Sequence, residues 1–301
     1  MSLTASSGAT DAALIVQGTE VETRALKMLA SLTGSRSIMG LGRGAFRMLE
    51  ARPHDHIAGF CAGERIDWAW VPQARRLDGL KLAAFDMDST LITIECIDEL
   101  ADFAGRKAEV SAITAAAMRG ELDYPQSLRQ RVALLAGVPA SALQSVHDER
   151  LHLSPGAETL LRRLRQLGVK TLLVSGGFTF FTDRLRDRLQ IDFTRSNTLA
   201  IEDGKLTGEV IGQIVDADEK AAELARRMDA LGLSAAQVLA VGDGANDLKM
   251  MALAGVSVAW RAKPTVQQAA THALNHSALD AVLNLYTPGA AAADPDQPTD
   301  C

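Results

Sequence analysis

The stretch "LAAFDMDSTLITIECIDEL" (82–100) opens on a short apolar run, Leu82 to Phe85, and leaves it in two carboxylates, Asp86 and Asp88, one residue apart. Four apolar residues bounded by polar ones fit a strand buried on both faces. Paired negative charge at the exit of such a strand is unfavourable, because neighbouring carboxylates repel and are costly to desolvate. A turn of exposed acids avoids that cost. So does a divalent cation shared by the two side chains, and magnesium takes oxygen donors of this kind together with a substrate phosphate. In the second arrangement one carboxylate can attack phosphorus and the other can give and take a proton.

The same kind of apolar run recurs downstream. "VKTLLV" (169–174), "VLAV" (238–241) and "VSVAW" (256–260) predict three further buried strands. Each follows an amphipathic stretch, 157–168, 219–232 and 245–255, that ends in Gly as a helix C-cap should. This alternation predicts an α/β fold with a Rossmann-like parallel sheet and helices on both faces. Ligands of such sheets sit beyond the carboxyl ends of the strands.

Two insertions interrupt the alternation. Residues 95–152 are almost wholly helical in pattern, which predicts a small helical cap between the first strand and the next. Residues 198–215 carry Asp203-Gly204 between two alternating runs, a β-hairpin signal, and predict a small flap. Ahead of the core, residues 11–78 read as a small α+β domain. "AALIVQG" predicts a strand and "VETRALKMLASLTG" a helix. "SIMGLGRGAFRMLEA" fits either a strand pair or a strand and a helix. Its "GLGRGAF" lacks the spacing of a dinucleotide-binding loop and reads as a turn. The expected division is a disordered leader 1–10, the small domain 11–78, a main domain 79–287 with its cap at 95–152, and a loose tail 288–301.

Composition narrows the function. Of 301 residues 47% are apolar and 23% charged, as in an ordinary globular protein of about two domains. The net charge of −6 argues against a nucleic-acid partner. Cys61, Cys96 and Cys301 are far apart and form no metal or disulfide pattern. The first residues lack a basic and apolar signal, and no apolar run approaches membrane length. No membrane partner is expected, and a cytoplasmic location follows by elimination. Oligomeric state is open, with a homodimer among the forms allowed.

Three more groups of residues stand where the predicted strands end. Ser175-Gly176-Gly177 offers a hydroxyl and flexible N–H groups suited to a phosphate oxygen, or an ordinary glycine turn. Lys220 opens a predicted helix, where a lone lysine is most often solvated. Asp243, Asn246 and Asp247 crowd a Gly-rich loop of the kind that holds metal.

Taken together, "DMDST", "SGG", Lys220 and "GDGAND" resemble, in this order, the four motifs of the haloacid dehalogenase-like phosphohydrolase superfamily. The segments "DSTLITIECIDELADFAG", "AMRGELDYPQSLRQRV" (117–132), "DGKLTGEV" (203–210) and "VGDGANDLKMM" are similar to those of its phosphoserine phosphatase family, over about 81–285. The resemblance implies Mg2+-dependent hydrolysis of O-phospho-L-serine, a small-molecule substrate, through an aspartyl-phosphate, as the last step of serine biosynthesis. It implies Asp86 as nucleophile and Asp88 as general acid and base. The metal would be held by Asp86, the Asp88 backbone carbonyl and Asp243, with Asp247 in support. Ser175, Gly176 and Lys220 would bind the phosphoryl group, with Asn246 orienting it. Glu95 and Arg131 would take the substrate's ammonium and carboxylate, with Met118 and Tyr124 closing the pocket. The family often has Phe where Tyr124 stands. Its bacterial members often carry an amino-acid-binding, ACT-like domain in front, to which 11–78 is similar in kind. Phosphotransfer to another alcohol, and a sensor that has lost catalysis, are the alternatives; intact motifs disfavour the sensor.

Overall fold

The computed structural model describes residues 11–42 and 44–288. The expected leader 1–10, all but the first residue of the expected tail, and Cys301 lie outside them. Two sheets organise the chain.

The first contains β1 (Ala12–Gln17), α1 (Thr23–Thr33), β2 (Ser37–Gly42), β3 (Ala45–Leu49), α2 (His56–Gly63) and β4 (Asp67–Pro72). Its strands lie in the order β2-β3-β1-β4 and are antiparallel throughout, the split β-α-β arrangement of ferredoxin-like folds. The segment after α1 is therefore a strand pair. Neither α2 nor β4 was predicted. Along β4, Ala69 and Val71 face the main body while Trp68 and Trp70 pack under the helices, so no polar face alternates with an apolar one. Leu14, Val16 and Met48 form a core with Leu26, Leu29 and Ile57 from the two helices.

The second sheet holds β5 (Leu82–Phe85), β6 (Lys170–Phe178), β7 (Phe193–Glu202), β8 (Lys205–Ile211), β9 (Val238–Gly242), β10 (Val256–Trp260) and β11 (His272–Leu274). Their order is β11-β10-β9-β5-β6-β7-β8, parallel except for the β7–β8 hairpin. The inserted helices are α3 (Cys96–Phe103), α4 (Lys107–Met118), α5 (Tyr124–Ala133) and α6 (Ser141–Glu149). The sheet is covered by α7 (Ala157–Gln166), α8 (Thr179–Leu189), α9 (Ala217–Leu231), α10 (Leu248–Met251) and α11 (Pro264–Ala269). The side chains of β5 alternate between the two layers. Leu82 and Ala84 pack with Leu224, Met250 and Val266, whereas Ala83 and Phe85 pack with Leu160, Leu164 and Phe181. Each fully buried Leu or Phe contributes about 1.5–3 kcal/mol.

Two expectations need correction. The helix predicted over 245–255 is a 3-10 turn, Ala245–Asp247, followed by the single turn α10. Gly255 is then no C-cap. It is small because a side chain there would meet Ala235 O at 2.6 Å. The hairpin turn is as expected, with Asp203 and Gly204 at φ of 48° and 73°, but β7 begins earlier, paired with β6 in the main sheet. The hairpin is also sewn to the cap. Gly137 N–H donates to Leu206 O (2.8 Å), Leu206 N–H to Val138 O (2.9 Å) and Ala140 N–H to Gly204 O (2.8 Å).

Asp67 joins the two sheets' bodies. Its carboxylate accepts from the N–H groups of Asn275, His276 and Ser277 and from the Ser277 hydroxyl at 2.7–3.0 Å. Among the described residues Cys61 and Cys96 are free and buried, and no helix is long and apolar enough to cross a membrane.

Candidate active site

The central strands β5, β6 and β9 are neighbours, so their carboxyl ends deliver three loops to one place. Asp86 leaves β5 with its N–H donating to Val241 O (3.0 Å), and its Oδ1 accepts from Met87 N–H (2.7 Å). Asp243 and Asp247 come from the loop after β9. Oxygens of Asp86, Asp243 and Asp247 lie within 4.8 Å of one another. Into this group reaches Lys220, from the first turn of α9, whose start is capped by Asp216. Lys220 is 0% exposed, and its Nζ stands 2.8 Å from Asp86 Oδ1 and 2.8 Å from Asp247 Oδ1. It is not the solvated surface lysine that its place on a helix suggests by itself.

One ammonium does not balance these acids. Burial, then the charge of Asp247, holds Asp86 well above the usual carboxylate range. Burial raises Asp88 to about 6, against the pull of the Cys96 N–H that donates to its Oδ1 at 3.1 Å. Burial raises Asp243 to about 6 as well, although Thr90 Oγ1 donates to it at 2.8 Å. For Lys220, burial pulls downward, but Asp247 and Asp86 outweigh it and keep the amine firmly protonated. Surplus negative charge on hard oxygen donors is the set a small divalent cation satisfies, and Asp86, Asp243 and Asp247 could hold one.

Opposite lies the end of β6. Gly177 N–H donates to Ser175 Oγ at 2.8 Å. Both glycines are demanded by close approach. A side chain at 177 would meet Asp88 Oδ2 at 2.8 Å, and one at 176 would overlap the Tyr124 hydroxyl.

The cap supplies the roof. Glu95 precedes α3 and accepts from the Ser89 hydroxyl at 2.7 Å, with Ser89 in the left-handed region at φ 54°. Glu95 is exposed to water, although cap and core atoms crowd around its carboxylate. Burial, then the charge of Asp88, raises it to about 7. Tyr124 opens α5, fixed by a capping box between Asp123 and Gln126, and its hydroxyl donates to Gly176 O at 3.3 Å. Arg131 donates to Ser127 O at 3.4 Å, and its charge reaches both Glu95 and Tyr124. Met118 ends α4, but its side chain lies outside what the structure describes. Asn246 stays within its own loop, its amide oxygen against Gly244. Three polar residues of the site carried no expectation: Ser89, Thr90 and Asn197, the last donating to Gly176 O at 2.7 Å. The first two sit inside the quoted "DMDST" and could have been suspected there. Asn197 lies in a strand with no local signal.

The family model described as haloacid dehalogenase-like hydrolase matches residues 83–252. The chain belongs to this family. It is 57% identical over 215 residues to a phosphoserine phosphatase of Polaromonas sp. (strain JS666), covering 70% of this chain and 91% of that one. A crystal structure of a probable phosphoserine phosphatase from Vibrio cholerae, unliganded, superposes with a TM-score of 0.82 at 37% identity, covering 93% of this chain and 88% of that one. A substrate-bound phosphoserine phosphatase complex superposes with a TM-score of 0.65 at 36% identity, over 69% of this chain and 98% of that one. The 93% coverage of the first structure takes in the smaller sheet as well as the hydrolase body. Hydrolases of this family use a metal ion, in keeping with the acidic group around Lys220.

Proposed function

We propose that this chain hydrolyses O-phospho-L-serine to L-serine and inorganic phosphate. The observation that carries the proposal is the buried ammonium of Lys220, 2.8 Å from both Asp86 and Asp247, with the cap residue Glu95 within charge range of Asp88, Asp243 and Arg131. The floor can neutralise a phosphate, and the roof offers an anion for the ammonium of serine and a guanidinium for its carboxylate. The relatives named phosphoserine phosphatase support the same substrate.

In the proposed sequence an Asp86 carboxylate oxygen attacks phosphorus, forming an acyl phosphate as the bond to the serine oxygen breaks. Asp88, raised to about 6 by burial, gives its proton to that leaving oxygen. The Asp88 carboxylate then takes a proton from a water that attacks phosphorus, and phosphate and Asp86 are released. Ser175 and the Gly176 N–H hold the phosphoryl oxygens, with Asn246 orienting them and Lys220 offsetting their charge. Mg2+ would be held by Asp86, Asp243 and the Asp88 carbonyl, with Asp247 in support, and would supply further charge neutralisation at phosphorus. Glu95, Met118, Tyr124 and Arg131 bind the serine end and keep bulk water out. The catalytic body is taken as 79–287 and the small domain as 11–78, and the compartment as the cytoplasm.

Phosphate release from a panel of phosphorylated amino acids and alcohols, with Mg2+ and with chelator, tests this. Metal-dependent turnover is expected to favour phosphoserine. Equal rates across the panel would remove the roles of Glu95 and Arg131, and transfer to an added alcohol in preference to water would make the enzyme a phosphotransferase.

A further inference from the structure

We propose that Asn197 is a positioning residue for the Ser175 hydroxyl, acting through the Gly176–Gly177 peptide; this rests on the phosphatase reading of the site. The parallel ladder of β6 and β7 pairs Val174 with Arg195 and next Phe178 with Asn197, so β6 advances further than β7 between the two pairs. Residues 175–177 bulge out of the ladder as a result. The bulge takes the Gly176 carbonyl away from any strand partner, and a carbonyl inside a protein needs one. Asn197, 1% exposed, supplies it with Nδ2 at 2.7 Å, and Tyr124 adds a longer bond from the cap. The amide cannot be turned around, because its Oδ1 accepts from Val215 N–H at 2.8 Å.

A trans peptide points its C=O and N–H in opposite directions, and no cis bond occurs among the described residues. Holding the Gly176 carbonyl toward Asn197 therefore sends the Gly177 N–H the other way, to Ser175 Oγ at 2.8 Å. A hydroxyl oxygen occupied as an acceptor keeps its own hydrogen for donation. Ser175 is thereby set to donate to a phosphoryl oxygen beside Asp88. With the peptide reversed, a carbonyl oxygen would face Ser175 Oγ and take the hydrogen that the hydroxyl would otherwise give to the phosphoryl group. Val215 lies just before Asp216, the cap of the helix that carries Lys220. One buried amide thus ties the serine arm of the site to the lysine arm.

Two measurements on the full chain decide this. In the first, Asn197→Ala is assayed with phosphoserine alone and in a Ser175→Ala background, with thermal unfolding followed alongside. About a tenfold or greater loss in kcat/KM is expected in the native background, and less than about twofold when Ser175 is already gone. Equal losses in both backgrounds, or none in the first, would overturn the proposal. In the second, hydrogen exchange is followed in the unsubstituted protein, so no variant needs to fold. The Gly177 amide is expected to be protected as strongly as its β6 neighbours, and free exchange at that amide would overturn the fixed peptide. Absence of phosphoserine hydrolysis by the native chain would remove the proposed function, while the exchange result would still decide the peptide's orientation.

Discussion

At the residue scale the site is governed by Lys220, whose ammonium touches two of its carboxylates. Breaking a buried ion pair by removing one partner costs about 3–5 kcal/mol. Lys220→Met is therefore expected to lower stability by that order in chelator, read by denaturant unfolding, with part of the loss recovered on adding Mg2+. The raised carboxylates make a second prediction, for the metal-free protein. Asp88 and Asp243, each near 6 when folded, keep protons that the unfolded chain has released from about pH 4 upward. The folded state binds more protons across that window, so their contribution is full below about pH 4 and is lost as pH rises through 6. The unfolding midpoint in chelator is expected to be lower at pH 7.5 than at pH 5.5 by about 3 °C or more, and Mg2+ should close most of that gap. A midpoint that rises over this range without metal would contradict the charge surplus. The acids were suggested by their place at strand ends in the chain, whereas Lys220, on a helix, was singled out only by the resemblance in motif order. Asn197 was not, since its role comes from a bulge in a neighbouring strand.

At the scale of elements, the cap and the β7–β8 hairpin are joined by three backbone hydrogen bonds, so they should open as one unit. Leu206→Pro removes the N–H that donates to Val138 O and should loosen both sides together. Faster hydrogen exchange in 137–140 as well as 204–206, with KM for phosphoserine raised several-fold, is the expected outcome. Exchange confined to the hairpin would show the cap to be independent of it. The hairpin itself was readable from Asp203-Gly204, and the cap from its helical periodicity. The link between them was not, because it is made by main-chain groups of a loop, 137–140, whose side chains announce nothing. The expected helix at 245–255 failed for a related reason: Gly255 signals a close approach to the backbone of Ala235, and a C-cap glycine looks the same in sequence.

Across the whole molecule, the smaller sheet is held to the hydrolase body by the packing of Ile15, Ala69 and Val71 on the main core, by Arg47 donating to Tyr286 O (2.8 Å), and by Asp67, whose buried carboxylate takes four hydrogen bonds from 275–277. Asp67→Ala leaves three N–H groups without that acceptor, at about 1–3 kcal/mol for each that stays unsatisfied. The variant is expected to unfold in two steps where the native chain unfolds in one, and to be cut by protease between β4 and β5. A single cooperative transition at the native midpoint would show that the other contacts, among them Arg47 to Tyr286 O and the packing of Ala69 and Val71, unite the two without Asp67. The parallel sheet was evident from strand and helix alternation alone. The smaller sheet was half evident, because both faces of β4 are covered and its pattern carries no period.

The most direct measurement is to quench the enzyme during turnover of phosphoserine, reduce it with borohydride and locate the modified residue by mass spectrometry. Reduction of an aspartyl-phosphate yields homoserine, and it is expected at position 86 and nowhere else, with none formed in Asp86→Asn. Modification at another carboxylate, or full phosphate release by Asp86→Asn, would contradict the assignment of Asp86 as the nucleophile.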